Sequence, residues 1–545
     1  MKYEQFFFMV VILILSACKP SLKDIVEDAE QATFIIYTYD EYGTPKGTGS
    51  GFFIDKKGIG ITNYHVLDGA VKAILKTSDD ERYEIDQVIA SDRKWDIAKF
   101  SIKNDKKNTF SYLRFADKNV EKGDKVYNIS SPMGLEASIS EGIVSSLRTD
   151  GQHGNTVQTT APISQGSSGS ALLNEDGEVF AVATFKYNSG ENLNFGVMIN
   201  EERLELLNQN EFVKRNAAFN KKDNFIILNV QSSGNQNLVL NAVEFKKDAT
   251  IAYFSYTNLD MSNTEILIWA KLNEGDNGFL LHDLDKDKKY YITSSSIGTD
   301  KESGTRVPLA SNYKFKVYFP AIKDIPSNID IVEGYESKSW QFRNICLDDY
   351  KDNIEIDMSS YRKEYAYSNM HEGQLANAER LFLAMLDEEP DDLQALNALG
   401  IISFVLENYT NAETYFSKAI EAHPNNKIGY LNRSQIYQLR GDNQAALKDL
   451  TQAINTTSHP DDIYKRALLY MKLEEWQKAE QDLDKIIQSE DYKHVAEPYA
   501  FRVICKMQQG RKREACKDIE IAYNLTTDKD LEGKLQSMWN NCGCY

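Results

Sequence analysis

Three residues whose types can together perform nucleophilic chemistry stand in distinct local contexts along this chain: His65, Asp96 and Ser168. Ser168 lies in Gln165-Gly166-Ser167-Ser168-Gly169-Ser170-Ala171-Leu172-Leu173, a serine between glycines in a turn ahead of an apolar strand. Glycines there let the backbone approach a substrate carbonyl and take up dihedrals closed to other residues. The amides of Gly166 and Ser168 could converge on one point in that turn and serve as an oxyanion hole. A neutral hydroxyl is a poor nucleophile until an imidazole takes its proton, and the imidazole needs a carboxylate to fix its tautomer. His65, in Gly60-Ile61-Thr62-Asn63-Tyr64-His65-Val66-Leu67, is the candidate base. Asp96, which opens the strand-like run Trp95-Asp96-Ile97-Ala98-Lys99-Phe100, is the candidate orienter. Asp92 is a rival, ranked lower because no apolar strand follows it directly.

The chain order His, Asp, Ser is that of chymotrypsin-type double barrels. With GTGSGFFID, TNYHVL, DIAKF and QTTAPISQGSSGSALLN in order, residues from about 25 to 200 resemble a trypsin-like serine peptidase of the HtrA/Deg kind. The resemblance implies two six-stranded antiparallel β-barrels with the catalytic residues in the cleft between them. It also implies that Ala183, Thr184 and Phe185 lie on the strand that pairs with substrate backbone. Two positions depart from the family: Ser167 stands where Asn is usual before the nucleophile, and Ser170 where Gly is usual two after it. A serine at the second place resembles the glutamyl endopeptidases. Pro162 occupies the position of the pocket floor in the trypsin group. With no carboxylate there, cleavage after Lys or Arg is not expected, and a small apolar residue is preferred before the scissile bond. The alternative from a different class is a catalytically inactive peptidase fold serving as an assembly scaffold.

The elements around these residues divide a chain of 545 residues into several domains. Phe6 to Leu15 is a continuous apolar run, too short for a membrane-spanning helix and suited to a signal-peptide core. Leu15-Ser16-Ala17-Cys18 looks like a bacterial lipobox. This reading makes residues 1–17 a lipoprotein signal, Cys18 the lipidation site, and the protein lipid-anchored to a bacterial membrane, facing an extracytoplasmic compartment of the cell envelope. An ordinary cleaved signal or a short membrane anchor is the alternative. Residues 18–205 are the expected peptidase domain, with a helix and polar linker from 201 to 224. Residues 225–349 switch to short strands, exemplified by Ala252-Tyr253-Phe254-Ser255-Tyr256 and Lys314-Phe315-Lys316-Val317-Tyr318-Phe319, and predict an all-β sandwich.

Residues 359–545 predict an all-α solenoid. Ala378, Ala412 and Ala446 recur every 34 residues, Pro390 and Pro424 share that spacing, and Phe382 and Phe416 follow the first two alanines by four. With Leu399-Gly400, this looks like tetratricopeptide repeats (TPR), helix pairs whose small residues allow close packing. Looser copies around Ala479 and Ala515 make about five units, with a capping helix near Leu531 to Trp539. Such units stack into a concave surface suited to protein partners.

The formal net charge of −19 argues against a nucleic-acid partner, since phosphate binding needs clustered Lys and Arg. Protein or peptide substrates are expected instead. The seven His and six Cys show no metal-ligand spacing, and neither metal nor organic cofactor is expected. Four cysteines fall in the last 41 residues. An extracytoplasmic setting permits disulfides, three pairings are open, and Cys516 with Cys542 is preferred.

Overall fold

The computed structural model describes residues 21–130, 138–150, 154–163, 166–186, 194–209, 219–222, 224–235, 237–261, 263, 265–272, 278–300, 302–334, 340–351, 358–489 and 492–544. Residues 1–17 and Cys18 lie outside them, so the signal and lipidation site are outside the described structure.

Six strands, β1 (Thr33–Tyr39), β2 (Pro45–Phe53), β3 (Ile59–Thr62), β4 (Lys72–Thr77), β5 (Arg82–Asp92) and β6 (Ile97–Ile102), close a first antiparallel barrel in the order β1-β2-β3-β6-β5-β4. A second closes from β7 (Lys125–Ser130), β8 (Ser138–Asp150), β9 (Gly154–Thr159), β10 (Ala171–Leu173), β11 (Val179–Lys186) and β12 (Asn194–Met198), ordered β10-β11-β12-β9-β8-β7. β1 is buried along its whole length because both of its faces are covered. Phe34 and Ile36 point into the barrel core with Phe53, Leu75 and Phe100, while Ile35, Tyr37 and Tyr39 pack against Tyr361 on the other face. Alternation of side chains along a strand makes the two sets possible. The Tyr361 hydroxyl donates to Thr38 O at 2.8 Å, so its buried polar end is satisfied.

The following all-β region forms two main sheets. One takes strands Phe225–Gln231, Leu238–Phe245, Ala249–Thr257, Asn312–Pro320 and Ser294–Ser295 in that order; the other takes Lys288–Tyr291, Phe279–Asp283, Asn328–Glu333 and Gln341–Cys346. Aromatic rings from both sheets meet around Phe254, with Phe279, Phe315, Trp340 and Phe342 at centroid distances of 5.2 to 6.2 Å among them. The first sheet is joined to the first barrel where Tyr42 meets Tyr253 edge-on and Lys316 pairs with Glu41 at 2.7 Å.

From residue 358 the chain is helical. Five helix pairs, Met358–His371 with Leu375–Glu388, Leu393–Val405 with Tyr409–Ala422, Lys427–Leu439 with Asn443–Thr457, Pro460–Lys472 with Trp476–Ile486, and Ala496–Gln508 with Lys512–Leu525, precede the last helix, Lys529–Cys542. Ala378, Ala412, Ala446, Ala479 and Ala515 are all fully buried. Gly400 shows why the recurring positions are small: a Cβ there would lie 2.3 Å from the Phe416 ring.

A second periodicity runs through the helices. Arg433, Arg466 and Arg502 each grip the aspartate 16 residues later (Asp449, Asp482, Asp518) through both carboxylate oxygens. Each also donates to the preceding pair, at Ser417, Thr451 and Asp484 respectively. The planar guanidinium suits this bidentate task as an ammonium would not.

The chain divides into two compact units. One gathers the described residues up to Tyr256 with 269–304 and 314–364; the other gathers 257–268 and 305–313 with 365–545. Two stretches read as sandwich in the sequence thus go with the helices. Among the described residues their strands Glu265–Ile268 and Thr305–Pro308 pair only with each other, and Leu259 is buried among helical residues.

The preferred disulfide is corrected: Cys516 is bonded to Cys544, and Cys542 is a free, buried cysteine. Cys542 ends the last helix facing the core, and Gly543 follows in the left-handed conformation, which turns the chain so that Cys544 reaches Cys516.

Candidate active site

His65 sits in a single helical turn, Tyr64–Leu67, and Asp96 in the tight connection from β5 to β6. The structure brings them together although 31 residues separate them. Asp96 Oδ1 accepts the His65 backbone amide at 3.0 Å, and Oδ2 lies 2.8 Å from His65 Nδ1. An ionised carboxylate can only accept, so Nδ1 carries the proton and Nε2 is left as the basic nitrogen. His65 is half-exposed, whereas Asp96 is largely covered.

Asp96 is held by two further hydrogen bonds. Its φ of +54° is a left-handed value that aspartate tolerates, and Asn63 Nδ2 donates to its carbonyl at 2.8 Å. The Thr184 hydroxyl donates to Oδ2. Thr184 reaches it because β11 carries an irregularity between Ala183 and Phe185 against β12, which re-aims the intervening side chain. Beside it, the Arg203 guanidinium covers the ring of Trp95 at 4.1 Å. The rival Asp92 is otherwise employed: its Oδ1 accepts the amides of Lys94 and Trp95 at 2.7 and 3.0 Å, shaping the turn that delivers Asp96.

The Ser168 turn is tied across to the first barrel. Ser50 donates its amide to Ser168 O at 2.7 Å and its hydroxyl to Gly166 O at 2.8 Å, while Thr62 donates to Ser50 O at 2.7 Å. Gly169 has φ +91°, and a Cβ there would lie 2.1 Å from Ser50 O, so only glycine lets the turn sit this close. That packing brings the turn against Asn63, two residues before His65. Gly166 is also left-handed, at φ +91°. Neither the Gly166 nor the Ser168 amide donates to an acceptor among the described residues. No hydrogen bond joins Ser168 Oγ to His65 among them either.

The two departures from the family pattern each have a buried partner on β7. Ser167 Oγ donates to Ser130 Oγ at 3.0 Å, and Ser170 Oγ to Asn128 Oδ1 at 2.7 Å. Asn128 Nδ2 in turn donates to Pro162 O at 3.1 Å, which also accepts from Ser140 Oγ at 3.0 Å. Pro162 is thereby fixed as an apolar, exposed position beside the turn.

Ala183 differs from its expected role. Its amide donates to Ser170 O and its carbonyl accepts from Gly169 N, both at 2.9 Å, so its backbone is engaged with the serine turn rather than presented to a substrate strand. Phe185 lies in β11, and its side chain is outside the described residues. Ser50, Asn63, Thr184 as a partner of Asp96, Asn128 and Arg203 were not anticipated as site residues. Only the first had a local signal, as the serine inside Gly47-Thr48-Gly49-Ser50-Gly51. No group of three His, Cys, Asp or Glu among the described residues could hold a metal ion.

Residues 49–182 match the family model of the trypsin-like peptidase domain, and residues 366–427 match that of the tetratricopeptide repeat. The chain therefore carries a trypsin-like peptidase domain and a C-terminal TPR domain. It is similar to a do-like serine protease of Buchnera aphidicola, 38% identical over 145 residues, 26% of this chain and 30% of the relative. A chloroplastic Do-like protease of Arabidopsis thaliana is 31% identical over 171 residues, 30% of this chain and 39% of the relative. The periplasmic serine endoprotease DegP of Salmonella typhimurium is 37% identical over 141 residues, 25% of this chain and 29% of the relative. The chain thus spans well under half the length of these relatives.

Proposed function

We propose that this protein is a serine endopeptidase acting through an acyl-enzyme on Ser168. The observation that carries the reading is the His65–Asp96 pair, bonded at 2.8 Å with Nε2 left as the basic nitrogen, beside a turn whose Gly166 and Ser168 amides meet no acceptor among the described residues. Nε2 takes the Ser168 proton as Oγ attacks the peptide carbonyl, and the two amides receive the developing oxyanion. Asp96 stays ionised and steadies the imidazolium, with Asn63 and Thr184 holding it in place. His65 then returns the proton to the leaving amine, and water cleaves the acyl-enzyme by the same route.

The second reading, a silent peptidase fold used as a scaffold, draws on one observation: Ser168 Oγ is not bonded to His65 at rest. In free proteases this contact is often long and tightens when substrate binds. Labelling with a fluorophosphonate probe decides between them. Covalent capture that disappears in Ser168→Ala supports the hydrolase; no capture in the folded wild type supports the scaffold.

The same proposal places the mature protein outside the cytoplasm, tethered through acylated Cys18. The Cys516–Cys544 disulfide supports an oxidising compartment, and the DegP relative is named as periplasmic. Loss of incorporated fatty acid in Cys18→Ser is the test of the tether. The TPR domain would recruit protein partners or substrates. Removing residues 365–545, which spares Tyr361 on the first barrel, should impair cleavage of a protein substrate while sparing a short peptide.

A further inference from the structure

Within the helical unit, one stretch of non-helical chain is held as a bound peptide would be. Asn432 Nδ2 donates to Leu259 O at 2.9 Å, and Asn432 Oδ1 accepts the Met261 amide at 2.9 Å. One carboxamide thus satisfies the backbone on both sides of Asp260, as a neighbouring strand would. Asn432 is fully buried, and Asn397 Oδ1 lies 3.4 Å from its Nδ2.

The side chains of the segment are read as well. Leu259 is fully buried in the apolar cluster that includes Leu399, Ile428 and Ile436, and Met261 packs at its edge. Asp260, 3% exposed, meets Lys465 Nζ at 3.6 Å. Asn432 and Lys465 occupy matching places in successive repeats, each directly before an arginine of the Arg–Asp ladder. Asn258 braces the segment by backbone bonds with Ala310 and Ser311 and by accepting the Asp260 amide.

We propose that the face of the repeats bearing Asn432 and Lys465 is a binding site for extended peptides of apolar–Asp–apolar pattern carried by another protein chain, and that the protein's own residues 258–261 hold it closed. This rests on the recruitment role given above and names its ligand. Backbone capture by Asn432 is blind to sequence; the Leu259 pocket and Lys465 supply the selection. A tethered segment acts at an effective concentration in the millimolar range, so an outside peptide binds only to the open fraction. Apparent affinity is lowered in proportion, and whatever lifts residues 258–261 switches the site on.

The test uses the full chain and a fluorescein-labelled peptide copying residues 256–264, read by fluorescence anisotropy. The variant Leu259→Ala/Asp260→Ala, with both anchors of the internal segment removed, should bind the peptide at least tenfold more tightly than the wild type. In that background Lys465→Ala should weaken the peptide severalfold, yet leave unchanged a peptide whose Asp is replaced by Asn. Equal binding by wild type and opened variant, or equal loss for both peptides, overturns the proposal. Should the double variant fail to melt cooperatively, Asp260→Asn is read the same way, gain supporting the proposal and no gain overturning it. Peptide binding with no effect of removing 365–545 on protein cleavage would sink recruitment alone; the reverse would sink this site alone.

Discussion

Thr184 donates its hydroxyl to Oδ2 of Asp96, the same oxygen that lies 2.8 Å from His65 Nδ1. One carboxylate oxygen therefore connects the second barrel, through β11, to the histidine of the first. The other oxygen takes the His65 backbone amide, so the carboxylate fixes both the ring and the chain that bears it.

Asp96→Asn should leave the fold intact and cut kcat/KM on a peptide substrate by roughly 10³–10⁴-fold, the scale on which such triads fail when the histidine takes the wrong tautomer. Thr184→Val should cost about tenfold, or ~1.4 kcal/mol, mostly in kcat. Steady-state kinetics beside a thermal melt checks both. An Asp96→Asn enzyme of near-wild-type rate would remove Asp96 from the mechanism.

Ser50→Ala removes the hydroxyl that holds Gly166 O but keeps the amide bond to Ser168 O. The carbonyl orientation fixes the neighbouring amides, so kcat should fall about tenfold with KM little changed. A rise in KM alone would show that Ser50 serves binding rather than the geometry of the serine turn.

Arg466→Ala strands Asp482, which is 2% exposed, without its bidentate partner. Removing one side of a buried pair costs about 3 kcal/mol or more, because the remaining charge stays desolvated. Urea unfolding followed by circular dichroism should show this loss, and Arg466→Ala/Asp482→Ala should recover part of it. A loss below about 0.5 kcal/mol would mean that the ladder is solvated in solution.

The disulfide closes a separation of 28 residues, for which chain-entropy arguments give about 3.6 kcal/mol. Cys516→Ala should lower the stability of the last repeat and make it indifferent to dithiothreitol, whereas Cys542→Ala should leave the bond in place. Peptide mapping under non-reducing conditions distinguishes Cys516–Cys544 from the alternative pairing.

Burial pushes the Cys505 thiol from 9.0 up to about 12, and the Tyr464 hydroxyl from 10.0 up to about 12. The native state therefore holds these protons more tightly than the unfolded chain. Below about pH 9 both states are protonated and the groups leave stability flat; between pH 9 and 12 the unfolded chain ionises first and stability falls. Urea midpoints at pH 8 and 10.5 should show the drop, reduced in Cys505→Ala. Cys505 should also resist iodoacetamide at pH 8 in the folded protein, since the thiolate is the reactive form. Rapid native alkylation would contradict its burial.

Much of the candidate site was legible in the sequence. His65, Asp96 and Ser168 each stand in a short, characteristic segment, and the recurrence of Ala378, Ala412 and Ala446 exposes the repeats, because a 34-residue period records the same packing problem solved again. Ser50, Thr184 and Asn128 were not legible. They act on partners 116, 88 and 42 residues away, at Gly166, Asp96 and Ser170; the glycines around Ser50 mark it as unusual but do not point to Gly166, and nothing around Thr184 or Asn128 marks their contacts. The Arg–Asp ladder was readable in principle, as an arginine and an aspartate 16 apart at 433, 466 and 502.

By itself the sequence determined the local pieces: which segments become strands, where helices pair, and which residue types carry the chemistry. Those follow from periodicity, glycine placement and side-chain type, all of which act over a few residues. Only the tertiary structure decided which of two cysteines two positions apart faces Cys516, and that Ala183 is engaged by the serine turn while Thr184 turns to Asp96. It alone decided that residues 258–261 lie on the repeats. A one-residue change of facing alters every such contact, and facing is set by what the rest of the chain packs against it.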